Sequence, residues 1–106
     1  MHALDVEQWH LYLVRTRAGA LYTGIAKDVD RRLVEHEGTK GKGAKYLRSK
    51  GPFKLTYQAR IGSRALALKV EAGVKKLSKQ KKEELVVAKP KRGELLKILA
   101  IQSSTC

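Results

Sequence analysis

The chain has 106 residues, near the usual size of one domain, and 42% hydrophobic content gives a modest core without disulfide or metal staples. The only cysteine is Cys106, so an intrachain disulfide and a zinc site built from several thiolates are both excluded, as suits a reducing cytoplasm. Lys and Arg number 23 against 10 acidic residues, a net charge of +13, so the surface field attracts polyanions.

Nucleic acid is the leading partner because the basic excess clusters; a merely solubilising surface and an anionic membrane are the alternatives. No apolar run approaches the roughly 20 residues that span a bilayer. The opening MHALDVEQW lacks the charged-then-apolar plan of a signal peptide, so the expected location is the cytoplasm, away from membranes.

Trp9 to Thr16 is rich in β-formers and reads as a strand, with Leu11 and Leu13 on one face and Tyr12 and Val14 on the other. A second strand is expected from Ala20 to Ala26. The short, glycine-containing Arg17-Ala18-Gly19 between them favours an antiparallel hairpin. Tyr12 and Tyr22 share a sheet face in some registers, and cross-strand aromatic packing explains them as simply as chemistry does.

Asp28 is a candidate cap for a helix through about Glu37, with Val29 and Leu33 on its buried side and Gly38 as its stop. Arg32 and His36, four apart, share a face, as do Arg31 and Glu35 in an ordinary ion-pair spacing. Residues 38–52, GTKGKGAKYLRSKGP, hold four glycines, five basic side chains and one aromatic. They read as a basic loop with a helical turn around Ala44 to Arg48, suited to following phosphates and stacking Tyr46 on an unpaired base, or equally as a solvated lysine loop.

Phe53 to Ile61 alternates enough to form a third strand. Ser63 offers an N-cap for a long helix whose core stripe is Leu66, Val70, Val74 and Leu77. Glu71 lies beside that stripe; it needs a cation, a metal or water as partner, and a routine pair with Lys75 satisfies it as well. Ser78 begins a further helix through Glu83 and Leu85. Pro90 and Gly93 then punctuate the chain before a last amphipathic helix from Glu94 to Ile101, which docks through Leu95, Leu96 and Leu99. The SSTC tail is expected to fray.

Taken in order, His10-Leu11-Tyr12, Tyr22-Thr23-Gly24, RRLVEH from Arg31 to His36, GKGAKYLRSKGP and the helix LALKVEAGVKKLSKQKKEEL resemble the GIY-YIG nuclease superfamily, in particular its small stand-alone bacterial YhbQ-like branch. The resemblance covers about residues 9 to 87 of a single expected domain, 1–106, with the docking helix at about 94–101 beyond it. It implies a small α+β domain, a three-stranded antiparallel sheet flanked by helices. It also implies divalent-metal-dependent cleavage of DNA phosphodiesters, with RNA an open alternative. Glu71 would hold Mg²⁺ or Mn²⁺, Arg32 would contact the scissile phosphate, Tyr12 would accept a proton from the attacking water or orient it, and Tyr22 and His36 would assist. Lys40, Lys42, Lys45, Tyr46, Arg48, Lys50 and Lys75 would bind flanking DNA, giving affinity more than base specificity.

Tyrosine is a poor base near neutrality because its reference pKa is about 10, so nearby positive charge from Arg32, Lys75 and a bound cation would have to help. The chain departs from the family pattern at His10, Leu11 and Thr23, and it contains no asparagine, a residue that many members place in the site. No second substrate-recognition domain is expected, so substrate choice would fall to the loop or a protein partner. A role in DNA repair or recombination and a monomer or weak dimer complete the expectation. Two other readings compete: a non-catalytic basic nucleic-acid-binding module, and an adaptor docking through its last helix.

Overall fold

The computed structural model describes residues 8–36 and 53–101, apart from the side chains of Glu35 and His36. The basic loop with its expected helical turn, and the tail expected to fray, lie outside the described residues. Three strands, β1 (Trp9–Arg15), β2 (Leu21–Ala26) and β3 (Lys54–Gly62), form an antiparallel sheet in the order β2-β1-β3. Among the described residues four helices accompany them: α1 (Val29–His36), α2 (Arg64–Lys75), α3 (Lys79–Ala88) and α4 (Arg92–Leu99).

The middle strand carries the core on both faces. Leu11, Tyr12, Leu13 and Val14 are each at most 1% exposed, so β1 reads as a continuous buried run rather than an alternating one. Leu11 and Leu13 pack with Tyr57, Ala59 and Ile61 of β3 against Ala67, Val70 and Val74 of α2, with Leu85, Leu95 and Leu96 closing the same layer. Tyr12 and Val14 face the other way, toward Ala26, Val29, Leu33 and Tyr22. The two faces of one sheet are therefore covered by α1 on one side and by α2, α3 and α4 on the other.

Local chemistry explains the boundaries. The hairpin between β1 and β2 closes where Thr16 N–H donates to Ala20 O at 2.8 Å and Gly19 N–H to Thr16 O at 2.9 Å, with Gly19 at φ 92°, a conformation glycine adopts without strain. Asp28 Oδ1 accepts from Arg31 N at 3.1 Å, Ser63 Oγ from Leu66 N at 3.2 Å and Ser78 Oγ from Lys81 N at 3.1 Å, so all three expected caps form. Tyr57, buried in β3, donates its hydroxyl to Pro90 O at 2.5 Å and ties the sheet to the α3–α4 connection. Arg15 at the end of β1 grips Glu83 of α3 through two bonds of 2.7 and 2.8 Å.

Three expected details change. The last helix begins at Arg92 rather than Glu94 and ends at Leu99 rather than Ile101, and Gly93 lies inside its first turn instead of before it. Lys91 is the extended cap, and its carbonyl accepts from Leu95 N at 2.9 Å, which starts the helix directly after Pro90. On α2, Ala67 is fully buried beside Val70 and Val74, whereas Leu66 and Leu77 are partly buried at the border of the core. Register shifts at Trp9/His10 and Leu13/Val14 insert extra β3 residues, so β3 runs from Lys54 to Gly62.

Candidate active site

The β1–β2 register brings the two motif tyrosines together. Tyr12 is opposite Gly24 and Val14 is opposite Tyr22, so both phenols lie on the sheet face covered by α1. They are not direct cross-strand partners. Tyr12 lies instead across Gly24: a Cβ built on that glycine would sit 2.5 Å from the Tyr12 hydroxyl oxygen and 2.6 Å from Cζ. Absence of a side chain at Gly24 therefore lets the Tyr12 ring rest on the backbone of an outer strand, carrying its hydroxyl from the middle of the sheet toward the β2 edge.

Side chains from both helical layers act on this phenol. Arg32, half-buried on α1, hydrogen-bonds the Tyr12 phenol, and the charges of Tyr22 and Glu71 also reach it. Burial is the main influence on Tyr12, and with Tyr22 it pushes the phenol up to about 12; Arg32 opposes this by charge and by its hydrogen bond. The protein alone thus keeps Tyr12 protonated at neutral pH. Arg32 by itself does not generate a phenolate, contrary to the simplest version of the base mechanism. Glu71 on α2 is 19% exposed at its side chain, and its Oε2 lies 3.4 Å from Lys75 Nζ.

Of the residues singled out from sequence, Tyr12, Tyr22, Arg32 and Glu71 converge. Lys75 is exposed next to them, and its pair with Glu71, the routine explanation, coexists with the convergence. His36 is the last residue of α1, but its side chain lies outside the described residues, as do Lys40, Lys42, Lys45, Tyr46, Arg48 and Lys50. Sequence reading missed the role of Gly24. A glycine inside a strand, two residues after a motif tyrosine, was the available sign of a close approach. It also missed a basic cleft beside Arg32, lined in part by Trp9, Lys27, Arg31 and Arg64.

The donor set bears on metal binding. Among the described residues no group of three or more His, Cys, Asp or Glu could cage an ion. A single partly buried carboxylate such as Glu71 suits a hard cation that keeps several waters and takes further ligands from substrate phosphate, the habit of Mg²⁺ and Mn²⁺. It does not suit zinc in a closed site.

A small α+β domain in which tyrosines, an arginine and a glutamate act on one buried phenol is the class that fold and site define. The family model described as the GIY-YIG catalytic domain matches residues 8–84, and the chain belongs to this family, within the GIY-YIG nuclease superfamily. A UPF0213 protein of Yersinia pestis (strain Pestoides F) is 55% identical over 83 residues, covering 78% of this chain and 85% of its own. A UPF0213 protein of Yersinia pseudotuberculosis (serotype O:3, strain YPIII) shows the same identity and coverage. The solution NMR structure of the UPF0213 protein BH0048 from Bacillus halodurans is 38% identical, with a TM-score of 0.51 over 90% of this chain and 99% of that one. No helix among the described residues is long and apolar enough to cross a membrane.

Proposed function

We propose that the chain is a divalent-metal-dependent nuclease that hydrolyses DNA phosphodiester bonds. The observation that carries this reading is the Tyr12 phenol, held over Gly24, hydrogen-bonded to Arg32 and within the field of both Tyr22 and Glu71. The same phenol that Arg32 hydrogen-bonds from one side of the sheet lies within the field of a carboxylate carried on the other.

Arg32 binds the scissile phosphate and offsets charge that grows in the transition state. Tyr12 orients the attacking water as a neutral phenol and takes its proton only when further positive charge lowers the phenol from about 12. Tyr22 lies on the same face and shares the water's hydrogen bonds, and His36 assists from the end of α1. Mg²⁺ or Mn²⁺ held by Glu71 would supply that positive charge and stabilise the leaving alkoxide. Lys75, paired with Glu71 at 3.4 Å, lends its charge to a bound phosphate in this reading. Lys40, Lys42, Lys45, Tyr46, Arg48 and Lys50 extend the contact along the strand. A cytoplasmic role in DNA repair or recombination, as a monomer or weak dimer with a protein partner aiding substrate choice, is the setting in which we place the activity.

The test is cleavage of end-labelled single-stranded, duplex, flap and branched DNA with Mg²⁺ or Mn²⁺, beside EDTA and a folded Glu71→Ala protein. Metal-dependent products lost in the variant are expected. Salt-sensitive binding without any product would replace this reading with that of a non-catalytic nucleic-acid-binding module.

A further inference from the structure

The cleft beside Arg32 is built differently from a solvated basic face. It is a largely open depression of about 580 Å³, within the roughly 300–1,000 Å³ usual for small-ligand sites, between the β2–α1 connection and the start of α2. Four cations line it, Lys27, Arg31, Arg32 and Arg64, against one carboxylate, Asp28. That carboxylate is already engaged as the α1 cap, accepting from Arg31 N at 3.1 Å.

Two of the cations are held. Lys27 Nζ lies 5.7 Å and the Arg64 guanidinium carbon 5.6 Å from the centre of the Trp9 ring, within cation–π range. Long basic side chains ordinarily lose rotamer freedom when they bind an anion, and fixing them on an aromatic ring reduces that loss in advance. The remaining wall is apolar, formed by Trp9, Ile25 and Leu68, and Leu68 is 39% exposed although its helix has a core face to offer. Trp9 also buries its indole N–H without a hydrogen-bond partner among the described residues.

Cations beside an apolar wall match a nucleoside phosphate, whose anionic and flat apolar parts are adjacent. Arg32 belongs to both this cleft and the Tyr12 site, so whatever occupies the cleft is next to the reacting phosphodiester. We infer that the cleft is a nucleotide subsite: Lys27, Arg31 and Arg64 hold the phosphate next to the scissile one, and the Trp9, Ile25 and Leu68 wall receives the attached sugar and base. The assignment rests on the nuclease reading for its position in the substrate, but binding is separable from cleavage.

Trp9 is the chain's single tryptophan, so its emission reports this site alone. Thymidine 3′,5′-bisphosphate, inorganic phosphate and thymidine would each be titrated into the metal-free full-length protein, with calorimetry as a second readout. The bisphosphate is expected to bind saturably and more tightly than either fragment. Arg31→Ala and Arg64→Ala are expected to weaken it by roughly tenfold or more, as loss of a charge-assisted contact does. Lys97→Ala, an exposed cation on α4 that does not line the cleft, is expected to bind as the wild type does. Equal affinity for inorganic phosphate, no saturable binding, or unchanged affinity in both arginine variants would each overturn the subsite. A protein that binds the bisphosphate through Arg31 and Arg64 yet cleaves no DNA keeps the subsite and overturns only the nuclease reading. Conversely, metal-dependent cleavage with no bisphosphate binding overturns the subsite alone.

Discussion

Tyr12 and Gly24 face each other across the β1–β2 ladder, and the phenol of one occupies the space a side chain on the other would need. Both residues belong to the motifs that first marked the chain, and this contact explains why one of them is a glycine. Gly24→Ala would bring its methyl 2.5 Å from the Tyr12 hydroxyl, so the ring must shift within a core in which Tyr12 is only 1% exposed. We expect a loss of about 1–3 kcal/mol in stability, the usual result of overpacking. Cleavage by the remaining folded protein should fall about 100-fold, as for a misplaced catalytic group. Urea unfolding and single-turnover cleavage would read the two effects, and wild-type turnover would show that the position of the phenol does not matter.

Tyr12→Phe and Glu71→Ala separate chemistry from folding. Tyr12→Phe keeps the ring over Gly24 and removes the hydroxyl from Arg32; Glu71→Ala removes a partly exposed carboxylate and its 3.4 Å pair with Lys75. A pair whose lysine end is solvated contributes about 0–1 kcal/mol, so thermal stability of Glu71→Ala should hardly change. Each variant is expected to cut metal-dependent cleavage by about 10²–10⁴-fold, the range for lost acid–base or water-orienting groups. Wild-type-like cleavage by both would dissolve the proposed site.

The link between β1 and α3 is sensitive to acid. Hydrogen bonding from Arg15, the largest influence, lowers the Glu83 carboxyl from its ordinary 4.5 to about 2. A group depressed by folding adds stability above its unfolded value, and that contribution is lost as pH falls toward the folded value. Stability should therefore decline between about pH 4.5 and pH 2 more steeply in the wild type than in Glu83→Gln. Urea midpoints across this interval would decide, and parallel curves would mean that the Arg15–Glu83 contact carries no folding linkage.

Tyr57 behaves in the opposite sense. Burial raises its hydroxyl to about 12, and the group donates to Pro90 O. A raised group contributes stability that is whole below its ordinary value of 10.0 and is lost as pH climbs through about 12. Tyr57→Phe should cost about 1–2 kcal/mol at neutral pH, through a lost buried hydrogen bond, and should flatten the alkaline decline. Identical alkaline unfolding curves would count against the linkage.

Ala100 ends α4 at φ 58°, in the left-handed region that glycine adopts freely. Ala100→Gly should stabilise the protein by about 1 kcal/mol, raising the urea midpoint at unchanged slope. A lower midpoint would indicate that the flexibility added to the unfolded chain outweighs the strain removed.

What the sequence disclosed followed from locality. Asp28, Ser63 and Ser78 each bond a backbone N–H three residues on, so the cap residues identified the helix starts. The apolar run Leu11–Val14 marked the central strand, and the order of elements among the described residues was readable. Gly93 misled because glycine usually breaks helices, although in a first turn that preference is weak. The convergence of Tyr12 with Arg32 and Glu71 depends on strand register and on two helices packed on opposite faces, which no local pattern encodes; only the ordered motifs pointed to it. The cleft at Trp9 was illegible for the same reason, since its lining comes from β1, β2, α1 and α2 together.

The outer position of β2 has one more consequence. A border strand leaves a row of backbone groups unpaired within its sheet, a template on which another chain can add itself. Lys27, Arg31 and Arg64 gather like charge near the Ile25–Ala26 end of this strand, so two copies approaching there repel each other. The side chains that would draw in a polyanion thus also guard against self-association. Variants stripped of them to weaken substrate affinity should be watched for aggregation as closely as for binding.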